Sequence, residues 1–134
     1  MRVIVTGSRE WKESSPVYHT LGGVQQLASA MNQKLIVVHG DASRGVDDMV
    51  NEWYEDQYPL LGTDILLERH PANWKTGGKG AGLFRNQHMA NLGADMCLAF
   101  RLNMSPGTSD MIRCAKEAGI PTYILDRSTS DFRV

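Results

Sequence analysis

Three short stretches place glycines and hydroxyl side chains where an apolar run gives way to a helical pattern. They are Thr6-Gly7-Ser8-Arg9, His39-Gly40-Asp41-Ala42-Ser43-Arg44-Gly45 and Ser105-Pro106-Gly107-Thr108. A glycine turn ahead of a helix leaves backbone N–H groups bare at the positive end of the helix dipole, a place for an anion and usually for phosphate. One such corner is ordinary. Three in one short chain point to a shared pocket for a nucleotide-like ligand.

Each corner offers its own chemistry. Gly7 lets the backbone approach a ligand, Ser8 brings a hydroxyl, and Arg9 a two-pronged donor for phosphate. In the second corner Gly40, Asp41 and Ala42 form a polar turn. Asp41 has the chemistry to accept from ribose hydroxyls, as an acid does in dinucleotide folds. His39, at the end of an apolar run, is either a ligand contact or a satisfied buried histidine. Asp47 and Asp48 read as first-turn acids favoured by the dipole of the following helix. In the third corner Pro106 stiffens the turn, Gly107 admits the ligand and Thr108 can donate to an oxygen. Asp110 follows in the first turn, either as a dipole-favoured residue or as a general base.

A glycine-rich stretch, Trp74 to Gly82, precedes Leu83-Phe84-Arg85-Asn86. Lys79, Arg85 and Asn86 suit recognition of a phosphate or a base, and Arg69–Gly80, which lacks periodicity, reads as a loop. It is no P-loop, because Gly80 stands after Lys79 where Ser or Thr would hold magnesium. No G-x-G-x-x-G and no G-x-S-x-G occur, so neither a standard NAD fingerprint nor a hydrolase nucleophile elbow is present. His19, His39, His70 and His88 lack ligand-type partners at helical spacing. No metal or organic cofactor is implied. Trp11 and Trp74 flank the glycine corners and can either stack on a base or cap the core edge.

The elements that must position these residues follow from apolar patterning. Arg2–Thr6, Lys34–Val38, Asp64–Leu67, Asp95–Phe100 and Thr122–Leu125 are short apolar runs, read as strands. Between them lie helical patterns. Ser15 reads as an N-cap with Pro16 at the first helical position, and Val17, Leu21, Val24, Ala28 and Met31 form one face. Val46, Met49, Val50 and Trp53 mark a second helix. Phe84, Met89 and Leu92 mark a third, over 82–92. Met111, Ile112, Ala115 and Ala118 mark a fourth, closed by Gly119 and Pro121. Strands that are apolar throughout, alternating with helices, predict an α/β Rossmann-like domain: a parallel sheet of about five strands with helices on both faces. It is expected over residues 1–126, with a polar, frayed tail over 127–134. Ligands of such sheets sit beyond the carboxyl ends of the strands, where all three corners fall.

The chain has 134 residues, 42% hydrophobic and 22% charged, with a formal net charge of −1. This excludes disordered and collagen-like classes and gives no basic nucleic-acid footprint. Cys97 and Cys114 match no zinc spacing and read as small buried hydrophobes. The apolar run at the N-terminus is too short for a signal peptide, and no stretch approaches the ~20 residues of a membrane helix. A cytoplasmic location is the expectation. Trp53, Tyr54 and Tyr58 together suggest a face for a homodimer or larger homo-oligomer.

In combination these motifs resemble the SLOG superfamily of Rossmann-like proteins (the Smf/DprA and LOG group), and most of all its YspA, cpYpsA-related branch. The matching pieces are Val3–Arg9 with Trp11, Val37–Ala42 with Gly45 and Asp47, Trp74 with Gly78-Lys79, Ala81-Gly82 with Arg85-Asn86, Gly93–Phe100, and Ser105 with Gly107-Thr108. The resemblance implies a nucleotide-derived ligand at the carboxyl edge of the sheet. The LOG branch looks like phosphoribohydrolases, whose signature P-G-G-x-G-T-x-x-E supplies a catalytic glutamate. Here only Gly107-Thr108 keeps that register; Asn103-Met104-Ser105 replace P-G-G, and Met111 stands at the glutamate position. Asp110 is one residue away, about 100° around the helix.

Two functions therefore compete. The first is a module that binds, senses or sequesters a nucleotide or a nucleotide-derived signal. The second is hydrolysis of a nucleoside monophosphate at its N-glycosidic bond, with acid or base from Asp110, Asp41 or Glu10 and phosphate contacts from Arg9, Arg85 and Thr108. Binding of single-stranded DNA fits poorly, because neutralising phosphates needs clustered Lys and Arg.

Overall fold

The apolar runs become five parallel strands. In a computed structural model, described for residues 1–132 without the side chains of Lys79, Asp131 and Phe132, the strands are β1 (Arg2–Gly7), β2 (Leu35–His39), β3 (Ile65–Arg69), β4 (Met96–Leu102) and β5 (Thr122–Arg127). Between them run α1 (Ser14–Ala30), α2 (Val46–Leu61), a short α3 (Trp74–Gly77), α4 (Ala81–Leu92) and α5 (Pro106–Glu117). The sheet order is β3-β2-β1-β4-β5. β1 lies centrally, with Val3 opposite both Val37 and Met96.

Alternation along β1 explains why every one of its central residues is apolar. Val3 and Val5 face one core with Val17, Leu21, Val46, Val50 and Trp53 of α1 and α2. Ile4 faces the other, with Met89, Ala90, Met111, Cys114 and Ala115 of α4 and α5. A strand covered on both faces has no solvent side on which to place polar residues. The two-faced α/β architecture is thus the one expected. Both cysteines are buried and unpaired, and burial pushes the Cys97 thiol up to about 12.

Several local readings are corrected. The first residue of α1 is Ser14 and its cap is Glu13, without a side-chain cap bond. Pro16 thus stands at the third helical position rather than the first. A residue without an N–H is tolerated anywhere in the first turn, where amides have no helical partner. Met31 falls just past the end of α1 and is exposed, as are Phe84 and Leu92 on α4 and Ala118 beyond α5. The inner face of α4 is Ala81, Asn86, Met89 and Ala90 instead. Residues 69–80 are not one loop: α3 is followed by a 3-10 turn at Gly78–Gly80. Trp53 belongs to the core, so of the three aromatic residues on α2 only Tyr58 is well exposed. Arg127, placed in the tail, closes β5, and Thr129–Phe132 forms a 3-10 turn.

The base of the sheet is tied by Arg2, which grips Glu68 with two bonds of 2.8 Å. His70 approaches the same carboxylate at 2.8 Å. The Arg2 hydrogen bonds hold the Glu68 carboxyl at about 2, below its ordinary 4.5. A carboxylate with a depressed folded-state pKa adds stability above its ordinary value, lost as pH falls towards the folded value. Discounted for solvent screening, it is worth about 1 kcal/mol. Glu68→Gln is expected to lower the unfolding free energy read from urea titration at neutral pH by that amount and to flatten the loss of stability between pH 4.5 and about 2. Parallel pH profiles for both proteins would show that the pair contributes nothing.

Candidate nucleotide site

Sheet order reverses between β1 and β4, and a crevice opens beyond their carboxyl ends. A cavity of about 560 Å³ occupies it. All three glycine corners reach it, through Gly7, Ser8 and Arg9, through Gly40 and Ala42, and through Ser105, Gly107 and Thr108. Trp74, Arg85 and Asn86 complete most of the expected wall.

The glycines act first on packing. A Cβ on Gly7 would lie 2.2 Å from a methyl of Val46, and one on Gly45 would lie 2.3 Å from the Ser8 carbonyl oxygen. The β1 corner is thus seated directly on the start of α2. A Cβ on Gly40 would strike the Arg85 guanidinium at 2.2 Å. Gly40 therefore makes room for an arginine from α4.

Ser8 is buried and joins the corners at the switch point. Its hydroxyl accepts the Leu102 N–H at 2.8 Å and pairs with the Ser105 hydroxyl. Ser105 caps α5 by position only, because its side chain is engaged by Ser8. The first helical bond in α5 is from Ser109 N–H to the Ser105 carbonyl, 3.0 Å. Pro106 has no N–H. The amides of Gly107 and Thr108 thus have no partner among the described residues and open at the cavity wall, at the positive helix end.

Arg85 crosses the opposite wall. Its Nη1 donates to the carbonyls of Gly40 and, at 3.3 Å, His70, at the ends of β2 and β3. Its Nε donates to Asn86 Oδ1 at 2.9 Å. Asn86 in turn donates to the Gly107 carbonyl at 3.2 Å and to Asp110 at 3.0 Å. Burial lowers the pKa of the Arg85 guanidinium, against the pull of Asp47. At the mouth, the exposed Arg9 lies over the Trp74 ring, 5.7 Å from its centroid. The ring also covers Gly82, where a Cβ would stand 3.1 Å away.

Four expected residues stand apart. His39 is fully buried: its Nδ1 accepts the Asp41 N–H at 2.8 Å, so its Nε2–H donates to Asn51 at 2.7 Å. It is a strut for the turn rather than a ligand contact. Asp41 adopts a left-handed backbone (φ 56) and does not line the cavity. Trp11 is buried edge-on against Phe100. Asp110 has both carboxylate oxygens engaged, one by Arg113 at 2.9 Å and one by Asn86, which leaves it poorly placed as a base. Glu10, at the cavity rim, is ion-paired with Arg44 at 2.6 Å. The side chain of Lys79 lies outside the described residues.

Asp47 lies in the first turn of α2, as expected of a dipole-favoured acid, and it is also buried and lines the cavity. Its Oδ2 accepts the Ala42 N–H at 3.0 Å. Burial pushes its carboxyl up, with Arg85 and the Ala42 amide among the groups opposing the shift. A sequence signal existed: Asp47 follows the buried Val46 directly after the glycine that seats the corner. Among the described residues no three His, Cys, Asp or Glu side chains converge as a metal site would require. No helix among them is long and apolar enough to cross a membrane.

Comparison with known proteins places these features in a family. The chain is 42% identical over 123 residues to the Gene 61 protein of Mycobacterium phage D29, covering 90% of this chain and 92% of that one. A solved structure, the C-terminal domain of PF1911 hydrogenase from Pyrococcus furiosus, aligns over 92% of this chain and 89% of its own at 15% identity and a TM-score of 0.43. The sequence model of the YspA, cpYpsA-related SLOG family matches residues 1–77, which include the first two glycine corners and Asp47. The protein that builds this cavity from its β1 and β2 corners therefore belongs to the YspA, cpYpsA-related SLOG family.

Proposed function

We propose that the protein binds a nucleotide or a nucleotide-derived small molecule at the carboxyl edge of its sheet and holds it without cleaving it. The observation that carries this reading is the pair of unpartnered amides, Gly107 and Thr108, at a cavity wall that also presents Arg9 and Arg85. Two bare N–H groups at a helix start, with a guanidinium close by, favour an anionic oxygen group. Trp74 supplies a flat surface at the mouth for a base. The acidic charge balance argues against nucleic acid as the partner, and a cytoplasmic setting suits a ligand of this class.

Holding is favoured over hydrolysis by the fate of the acids. The residue at the LOG glutamate position is Met111, which is fully buried in the core. Asp110 is engaged on both oxygens.

The test is mass spectrometry of a ribonucleotide panel incubated with the protein, before and after denaturation. A nucleotide that leaves solution and returns intact on denaturation is expected. Free base with ribose 5-phosphate would establish cleavage, and no depletion of any nucleotide would end the reading. Trp74→Ala is expected to weaken the retained nucleotide about tenfold, the loss typical of one base–aromatic stack, as read by titration calorimetry.

A further inference from the structure

Asp47 and Arg85 line one cavity, and neither is paired with the other. Among the described residues no carboxylate oxygen lies within 4.0 Å of the Arg85 guanidinium. Yet each feels the other's charge. Asp47 is more than nine-tenths buried, with relative exposure of 6%. Its Oδ2 is used by the Ala42 amide, and its Oδ1 has no hydrogen-bond partner among the described residues. No buried side-chain oxygen or nitrogen among the described residues is left unsatisfied, so Oδ1 opens on the cavity. The same holds for Arg85. Its Nε and Nη1 are committed to Asn86, Gly40 and His70, and its Nη2 is free to meet a ligand.

Removing two opposite charges from water and then keeping them apart is costly, and direct pairing is the usual relief. A separated pair held by other bonds is preorganised for a group that fits between them. The group must donate to Asp47 and accept from Arg85, which two neighbouring hydroxyls do. It must be uncharged, because a phosphate would meet the Asp47 carboxylate. The anionic end of the ligand therefore goes to the amides of Gly107 and Thr108 and to Arg9, and an uncharged hydroxylated part to Asp47 and Arg85.

We propose that Asp47 and Arg85 together read a vicinal diol, so that the site selects ribose over deoxyribose. Asp47 Oδ1 accepts from one hydroxyl and Arg85 Nη2 donates to its neighbour. The inference rests on the nucleotide-binding reading above and narrows it to ribonucleotides with a free 2′,3′-diol. Asp47 takes the sugar-reading role that the sequence suggested for Asp41.

The experiment compares inorganic phosphate, ribose 5-phosphate and 2-deoxyribose 5-phosphate by titration against the whole protein and Asp47→Asn. The Asn variant keeps an oxygen for the Ala42 amide and turns a donor towards the cavity in place of Oδ1. Ribose 5-phosphate is expected to bind wild type at least tenfold tighter than its deoxy counterpart, and the ratio to fall below twofold in Asp47→Asn. Equal binding of the two sugar phosphates to wild type would overturn the diol assignment while leaving phosphate binding intact. A tenfold preference that survives in Asp47→Asn would overturn the role of Asp47. No binding of any of the three, inorganic phosphate included, together with a nucleotide panel that shows no depletion, would remove the reading on which the proposal rests. A thermal melt of Asp47→Asn within about 5 °C of wild type, about the shift of a typical single substitution, confirms that the comparison is made on folded protein.

Discussion

Gly45→Ala is expected to destabilise the protein by about 3 kcal/mol and to lower its thermal midpoint by about 10 °C. Gly45 sits at φ 78 and ψ −141, a backbone region that L side chains rarely enter. The added Cβ would also lie 2.3 Å from the Ser8 carbonyl oxygen and 2.6 Å from Arg9 Cα. Both neighbours are backbone and cannot rotate away. Relief would have to move the β1 corner off the start of α2, opening the wall of the cavity. Gly107→Ala makes the contrast. Its Cβ would meet nothing within 4 Å, and Gly107 lies in the first turn of α5 with no positive φ. That variant is expected to melt within about 2 °C of wild type, as surface helix substitutions usually do. Circular dichroism melts decide both. A Gly45→Ala protein that melts with wild type would show that the two corners are not in such close contact.

Arg85→Ala is expected to cost about 3 kcal/mol, because it removes a buried cation whose charge opposes the burial of Asp47. It also strips the Gly40 and His70 carbonyls and the Asn86 amide oxygen of their donor. Replacing Asp47 as well removes the uncompensated charge. The double variant Asp47→Asn with Arg85→Ala is thus expected to be more stable than Arg85→Ala alone by about 1 kcal/mol. The pH dependence has a fixed sign. A carboxyl whose folded-state pKa is raised holds its proton in the folded state where the unfolded chain has lost it, so stability falls as pH rises through that window. Burial already raises Asp47, and loss of Arg85 raises it further. The gap between wild type and Arg85→Ala is therefore expected to widen as pH rises above the ordinary aspartate range in urea titrations. A gap independent of pH, with additive single and double variants, would show that Asp47 and Arg85 do not sense each other.

Strand positions and the layered architecture were legible because a parallel strand covered on both faces must be apolar at every central position. Val3, Ile4 and Val5 illustrate it, divided between two cores that both need them buried. Helix faces were less legible where the pattern was thin. On α4, Phe84 and Leu92 suggested an apolar stripe, yet the buried polar residue Asn86 lies on the inner face because it links Arg85 to Asp110. Hydrogen-bond partners distant in sequence override an apolar count.

The sequence by itself determined which corners would meet: glycine and hydroxyl residues at strand ends, in a β-α-β order that allows one sheet edge to collect them. It pointed to Asp41, not to Asp47 six residues on, as the acid that faces the ligand. That choice belongs to the tertiary structure. Gly45 lets Ser8 press against the turn, the left-handed Asp41 gives its N–H to His39, and the first turn of α2 carries Asp47 to the cavity beneath the Ala42 amide. A side chain's exposure depends on what the rest of the chain lays over it, and no local spacing encodes that.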